Sequence, residues 1–253
     1  MKYKEHRLES LVEYFKNEGR VFQNLSELVE DLLRKSPDII LVGDSHIFLP
    51  ENETQLEILT HLIKKGFIKS VGFEQIDSGK NSLLYSYNKG DVNIEDVMKP
   101  VRYISPFPSK REKMIVKSML EISKCLQLTG IEHPLIWMDR GGPSRKEREK
   151  HMASVIEKQL KPCIDLMGFQ HVRRNAVMKY IPDEYKVAAV TQIKYSLSNY
   201  LFPVHCFYMV KEKLGYPCPE RFVYKGFKKS FETKNPTILT TPDYLFDYAI
   251  IYP

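Results

Sequence analysis

Cysteine is scarce in this sequence: four residues in 253, at positions 125, 163, 206 and 218. No two of them form a CxxC pair, so neither a disulfide framework nor a zinc ribbon follows from them. Cys125 and Cys163 fall inside apolar periodic runs, where a reduced thiol packs as a small hydrophobe. A reducing compartment, and hence a cytoplasmic location, is expected. No run of about 18 apolar residues is available to cross a bilayer, and residues 1–15 lack the apolar stretch and small cleavage residues of a secretory leader. Glycine-rich phosphate loops are missing as well: neither GxGxxG nor GxxxxGK[ST] occurs. Ser45 lies in no GxSxG elbow, which makes it a poor nucleophile. A concentrated basic stripe is also lacking. The net charge is +6, but Lys and Arg are interleaved with Asp and Glu. The dense stretch at 144–150 contains Glu147 and Glu149, as a solvated helix face would, and nucleic acid is not an expected partner. Water activation, metal chemistry and ligand binding remain.

What the sequence does contain is an alternation of short apolar runs and helical patterns. Residues 7–34 read as helix, with Leu8, Leu11, Val12 and Phe15 on one apolar face and Leu25, Leu28, Val29, Leu32 and Leu33 on another, separated by the stretch Asn17 to Arg20 with Gly19. After Pro37 comes a run at 38–42 suited to a strand covered on both faces. It ends at Gly43-Asp44-Ser45-His46. A helix over 54–65 stops at Gly66, and a second strand, 70–73, ends at Glu74, completing a right-handed βαβ unit. Residues 77–108 form a long polar excursion with one short helix near 94–98. Ser109 and Glu112 then open a helix to about Leu128, closed by Gly130. A third strand, 134–138, ends at Asp139-Arg140. Ser144 and Glu147 cap the next helix, and strands follow at 163–167, 186–190 and 247–252. The aromatic-rich stretch at 194–246 is irregular. These elements predict one α/β domain over 1–253, with a mostly parallel central sheet and helices on both faces.

In open α/β sheets ligands bind outside the carboxyl ends of the strands. The ends here offer Asp44 and His46, then Glu74, then Asp139 and Arg140, then His171. Two histidines and several carboxylates in one crevice suit general acid/base chemistry, or His46 and His171 ligating a divalent metal. Arg148 stands one helical turn before Met152 on the same face, which turns it toward the core. At least one of Arg173 and Arg174 is expected in solvent. His6, His61, His133, His151 and His205 have no such context.

The order of these elements resembles the superfamily that joins erythromycin-esterase-like enzymes, the Tiki and TraB proteases and ChaN-type haem-uptake proteins. The resemblance rests on Gly43-Asp44-Ser45-His46, Glu74, Arg148 with Met152-Ala153, and Gly168-Phe169-Gln170-His171. It spans about residues 38–192, and His171-Val172-Arg173-Arg174 looks like the ChaN branch. Asp44 departs from the commoner glutamate by one methylene. The resemblance implies a hydrolase of ester or peptide bonds acting on a small molecule or peptide. His46 would deprotonate water, Asp44 or Glu74 would orient it, and His171 with Arg148 would stabilise the oxyanion, with or without a divalent metal. The alternative it implies is a non-catalytic binder of haem or another small ligand, with His171 or a tyrosine as axial ligand. A family member acting only through protein contacts is a third reading.

Overall fold

The computed structural model describes residue 17 and residues 19–44, 49–102, 109–132, 144–194, 237–240 and 246–252. In chain order they form β1 (Val21–Phe22), α1 (Leu25–Lys35), β2 (Ile39–Asp44), α2 (Leu49–Lys64) and β3 (Ser70–Asp77). Then come α3 (Asn81–Lys89), α4 (Ile94–Met98), α5 (Lys110–Ile122), β4 (Gln127–Glu132), α6 (Arg145–Glu157) and β5 (Cys163–Gly168). The last strands are β6 (Val187–Lys194), β7 (Thr237–Thr240) and β8 (Tyr248–Tyr252). Short 3-10 turns occupy Ser78–Lys80 and Val177–Tyr180. The strands lie in one sheet in the order β1-β7-β8-β6-β2-β5-β3-β4. The six strands from β8 to β4 run parallel, and β7 and β1 extend the sheet antiparallel.

Strand β2 is central because all its side chains are apolar up to Gly43. Ile40 and Val42 pack with Leu28 and Leu32 of α1 and Ile58 of α2, while Ile39 and Leu41 pack with Met152 and Ile156 of α6. A strand buried on both faces reads as a continuous apolar run for this reason. Helix ends are set locally. The Asn24 side chain accepts the Glu27 N–H at the start of α1, and Ser144 and Glu147 form the reciprocal capping box of α6.

The structure corrects several expected boundaries. Residues 21–22, expected as helix just after the Asn17 to Arg20 break, are a strand at the sheet edge, and α2 begins at Leu49 instead of Thr54. The excursion after β3 holds a helix, α3, that its polar composition concealed. The helix expected to reach Leu128 ends at Ile122, and Gln127–Glu132 is a strand. Gly130 is no helix stop. A Cβ there would meet the carbonyl oxygens of Ile76 and Asp77 at 2.7 Å, so glycine lets β4 close against β3. On its outer side the Gly130 N–H donates to Asn81 Oδ1 at 2.6 Å, and Asn88 Nδ2 donates to the Leu126 carbonyl at 2.6 Å. The strand expected at 134–138, the N-terminal half of the first helix and most of 194–246 lie outside the described residues. Among the described residues no helix is long and apolar enough to cross a membrane.

One polar residue is built into the sheet. Asp165 on β5 is fully buried and accepts from Gln159 Nε2 at 2.6 Å. Burial pushes its carboxyl up to about 6. The folded chain therefore holds this proton where an unfolded Asp, titrating near 3.9, has lost it. Stability from this group is present at low pH and lost as pH rises from about 4 to about 6, by about 3 kcal/mol. Asp165→Asn is expected to flatten that dependence. The difference in thermal midpoint between variant and parent, followed across pH 4 to 7, checks it, and a constant difference contradicts it.

Candidate functional site

The site assembles on the α6 face of the sheet. In β3, Val71 and Phe73 face α1 and α2, so the pleat turns Glu74 to the opposite face, the one that Met167 of the neighbouring β5 also takes. Glu74 lies within β3, not just past it, and is buried. Its Oε2 accepts the Gly168 N–H at the end of β5. Its Oε1 accepts Arg148 Nη2 at 2.8 Å. Arg148 reaches inward from the first turn of α6, where Met152 and Ile156 bury the same helix face. The same nitrogen donates to His171 Nε2 at 2.9 Å and stands 3.2 Å from Glu132 Oε1.

His171 sits in the turn after β5. Its own N–H donates to the Gly168 carbonyl at 2.8 Å, and its carbonyl accepts the Val177 N–H at 3.2 Å. The ring is buried, with Nε2 3.5 Å from Glu74 Oε1 and Nδ1 3.6 Å from Glu149 Oε1. Burial lowers its pKa below the usual 6.5, and Arg148 pushes the same way, while Glu74 and Glu149 oppose it. Because a guanidinium only donates, Nε2 must accept, and the ring proton lies on Nδ1. Arg145 closes the far side: its Nε donates to Glu149 Oε1 at 2.8 Å and its Nη2 to the Gln170 carbonyl at 3.3 Å. Arg102 bridges Asp77 (3.2 Å) and Glu132 (3.9 Å) on the other flank. Acids and guanidiniums thus alternate through the crevice. Arg148 Nε and His171 Nδ1 are buried there without a hydrogen-bond acceptor.

Of the residues singled out in the sequence, Glu74, Arg148 and His171 are in mutual contact. Asp44 is placed elsewhere. Ile40, Val42 and Asp44 share one side of β2, so its carboxylate faces α2, on the side of Tyr252, whose hydroxyl is pushed up chiefly by burial and further by Glu51 and Asp44. His46, Asp139 and Arg140 lie outside the described residues. Arg173 is buried with its guanidinium 5.4 Å from the Phe169 ring centre, whereas Arg174 is exposed and pairs with Asp247 at 2.9 Å. Sequence reasoning missed Glu132, because the helix was carried to about Leu128 with Gly130 as its stop and the next strand was placed at 134–138, which left Glu132 in the connection between them. It placed Glu149 on a solvated helix face, whereas that residue is buried against Arg145 and His171, and it passed over Arg145, although the i,i+4 spacing of the two was a visible sign of a pair.

A metal does not fit the described donors. Among the described residues no group of three His, Cys, Asp or Glu is placed to hold one, and the Nε2 lone pair of His171 is directed at a guanidinium.

No protein-family model and no curated protein matches the sequence. Solved structures do share its fold. A structure of cofacial haem binding to ChaN of Campylobacter jejuni superposes with a TM-score of 0.57 at 12% identity, covering 90% of this chain and 91% of that one. The type III effector HopBA1 superposes with a TM-score of 0.57 at 11% identity, covering 92% of this chain and 96% of that one. The chain has the ChaN-like α/β fold, with its parallel sheet and flanking helices.

Proposed function

We propose that the chain is a hydrolase of ester or peptide bonds whose crevice, built by Glu74, Arg148 and His171, activates water and stabilises an oxyanion. One observation carries the reading: a single guanidinium nitrogen of Arg148 is shared between Glu74 and a neutral His171 in a buried cleft. Holding a cation there before substrate arrives removes the cost of orienting it during reaction, and such preorganised donors contribute on the order of 10² to 10³ in rate. Both oxygens of Glu74 are already acceptors, so it orients water and Arg148 and does not carry the proton. In this scheme His46, on the segment leaving β2, takes the proton. The Nε–H of Arg148, buried without an acceptor, is available to the developing oxyanion. The depressed pKa of His171 keeps it neutral through the neutral pH range, so the donor arrangement holds there.

The ChaN likeness supports a second reading, non-catalytic haem binding. His171 as axial ligand would first have to give up Arg148, which stands where the iron would approach Nε2. Hydrolysis is therefore the reading we carry forward.

The test is a panel of nitrophenyl esters and fluorogenic peptides, run with and without a chelator. Arg148→Lys keeps the charge but loses the planar guanidinium that holds Nη2 between two partners and offers the free Nε–H. It is expected to lower kcat about 100-fold with an unchanged circular dichroism spectrum, and chelation is expected to leave the parent unaffected. Full activity of the Lys variant would pass the role to Arg140 or Arg173. An inactive parent that forms a shifted haem absorbance band would establish the binder instead.

A further inference from the structure

The free edge of the sheet carries a second arrangement with chemistry in it. Outside β4, between α3 and α6, runs an open groove of about 720 Å³. Ser78 lines one end of it, directly after β3, and Ser78 Oγ is 3.0 Å from His151 Nε2 on α6. Both side chains are partly exposed. Asp77, the neighbouring acid, is turned to the Gly79 N–H and to Arg102.

Asn81 lines the same groove three residues beyond Ser78. Its Oδ1 is fixed by the Gly130 N–H at 2.6 Å, which commits the other end of the amide, with its two protons, to point away from β4. A hydroxyl hydrogen-bonded to an imidazole supplies the nucleophile and base of acyl transfer, and the Asn81 amide on the same groove wall is the group placed to serve as oxyanion donor. Leu128 and Val155 supply apolar lining, and Lys89 and Lys158 put two ammonium groups on the wall.

We propose that Ser78 and His151 form a separate esterase site, for small carboxylic esters that carry an anionic group. With the ring proton on Nδ1, Nε2 of His151 takes the hydroxyl proton as Ser78 Oγ bonds to the acyl carbon. The tetrahedral oxyanion rests against Asn81. The bond from the acyl carbon to the alcohol oxygen then breaks, and the leaving alkoxide takes the proton from His151. Water, deprotonated by the same nitrogen, releases the acid and restores Ser78. Lys89 and Lys158 select the anionic end.

The experiment uses the full chain and a fluorophosphonate probe, with the modified residue located by peptide mass mapping. Ser78 is expected to be modified, with a rate that falls about 100-fold in His151→Ala and His151→Gln, the usual worth of a general base. Added imidazole is expected to restore the Ala variant, which a purely structural histidine would not allow. An unmodified Ser78, or equal rates in parent and both His151 variants, overturns the assignment. With substrates, 4-nitrophenyl succinate is expected to exceed 4-nitrophenyl butyrate about fivefold in kcat/KM, the scale of an exposed ion pair. That preference should vanish in Lys89→Ala/Lys158→Ala; equal turnover of the two esters by the parent removes the anion selectivity.

Discussion

Arg148→Ala is expected to destabilise the chain by about 3–5 kcal/mol, because it removes the guanidinium that Glu74 pairs with and leaves the buried Glu132 to Arg102 at 3.9 Å. Glu74 and Glu132 have side chains only 7% and 8% exposed, and Arg148 stands 2.8 and 3.2 Å from them. At this chain length such a loss lowers the thermal midpoint by on the order of 10 °C. Calorimetry of the Ala and Lys variants side by side separates the two roles of the residue. The Lys variant keeps a charge near both acids and should stay within about 1–2 kcal/mol of the parent, while both variants lose activity. An Ala variant as stable as the parent would mean that water already screens these carboxylates.

Gly72→Ala is the second large effect expected. A methyl group at Gly72 would fall 1.9 Å from Asp165 Oδ1, 2.8 Å from Gln159 Nε2 and 2.9 Å from Ile131 Cγ2. Three elements would have to move together: β5, the turn after α6, and β4. Overpacking of this kind costs about 3 kcal/mol. Chemical denaturation should show it as a lower midpoint with an unchanged slope. The double variant Gly72→Ala/Asp165→Ala, which clears the carboxylate, is expected to recover part of the loss. No recovery would mean that the clash with Ile131 dominates.

How much of this was legible depends on what each segment had to hide. Strands β2 and β5 announce themselves because both faces are buried, which leaves only apolar residues or small ones through most of their length. Helix α6 is legible from its cap, since Ser144 and Glu147 answer each other at fixed spacing. Strand β4 was not legible. Leu126, Leu128 and Ile131 continue an apolar spacing compatible with helix, and Gly130 imitates a helix stop when it is really a contact with β3. Missing β4 meant missing Glu132 at its carboxyl end. The tail of β3 was cut short for a similar reason: Glu74, Gln75 and Asp77 look like a loop until Gly168 and Arg148 supply partners for Glu74. Strand-end position identified Glu74 and His171 as candidates, yet it could not tell which face Asp44 would take. That depends on the register of β2 by a single residue, and a one-residue difference reverses the side chain.

Asn81 and Asn88, introduced as the outer partners of Gly130 and Leu126, bear on how the chain behaves in a crowd. An exposed sheet margin is a template on which a second chain can continue the pairing, and this is a common route to aggregates. At the β4 margin two side-chain amides take the places that a docking strand's backbone would occupy, one accepting and one donating. The sheet is thereby terminated from within. A second copy approaching this margin meets a donor and an acceptor already engaged by α3, and the helix that lies along β4 keeps the parallel sheet from growing by addition.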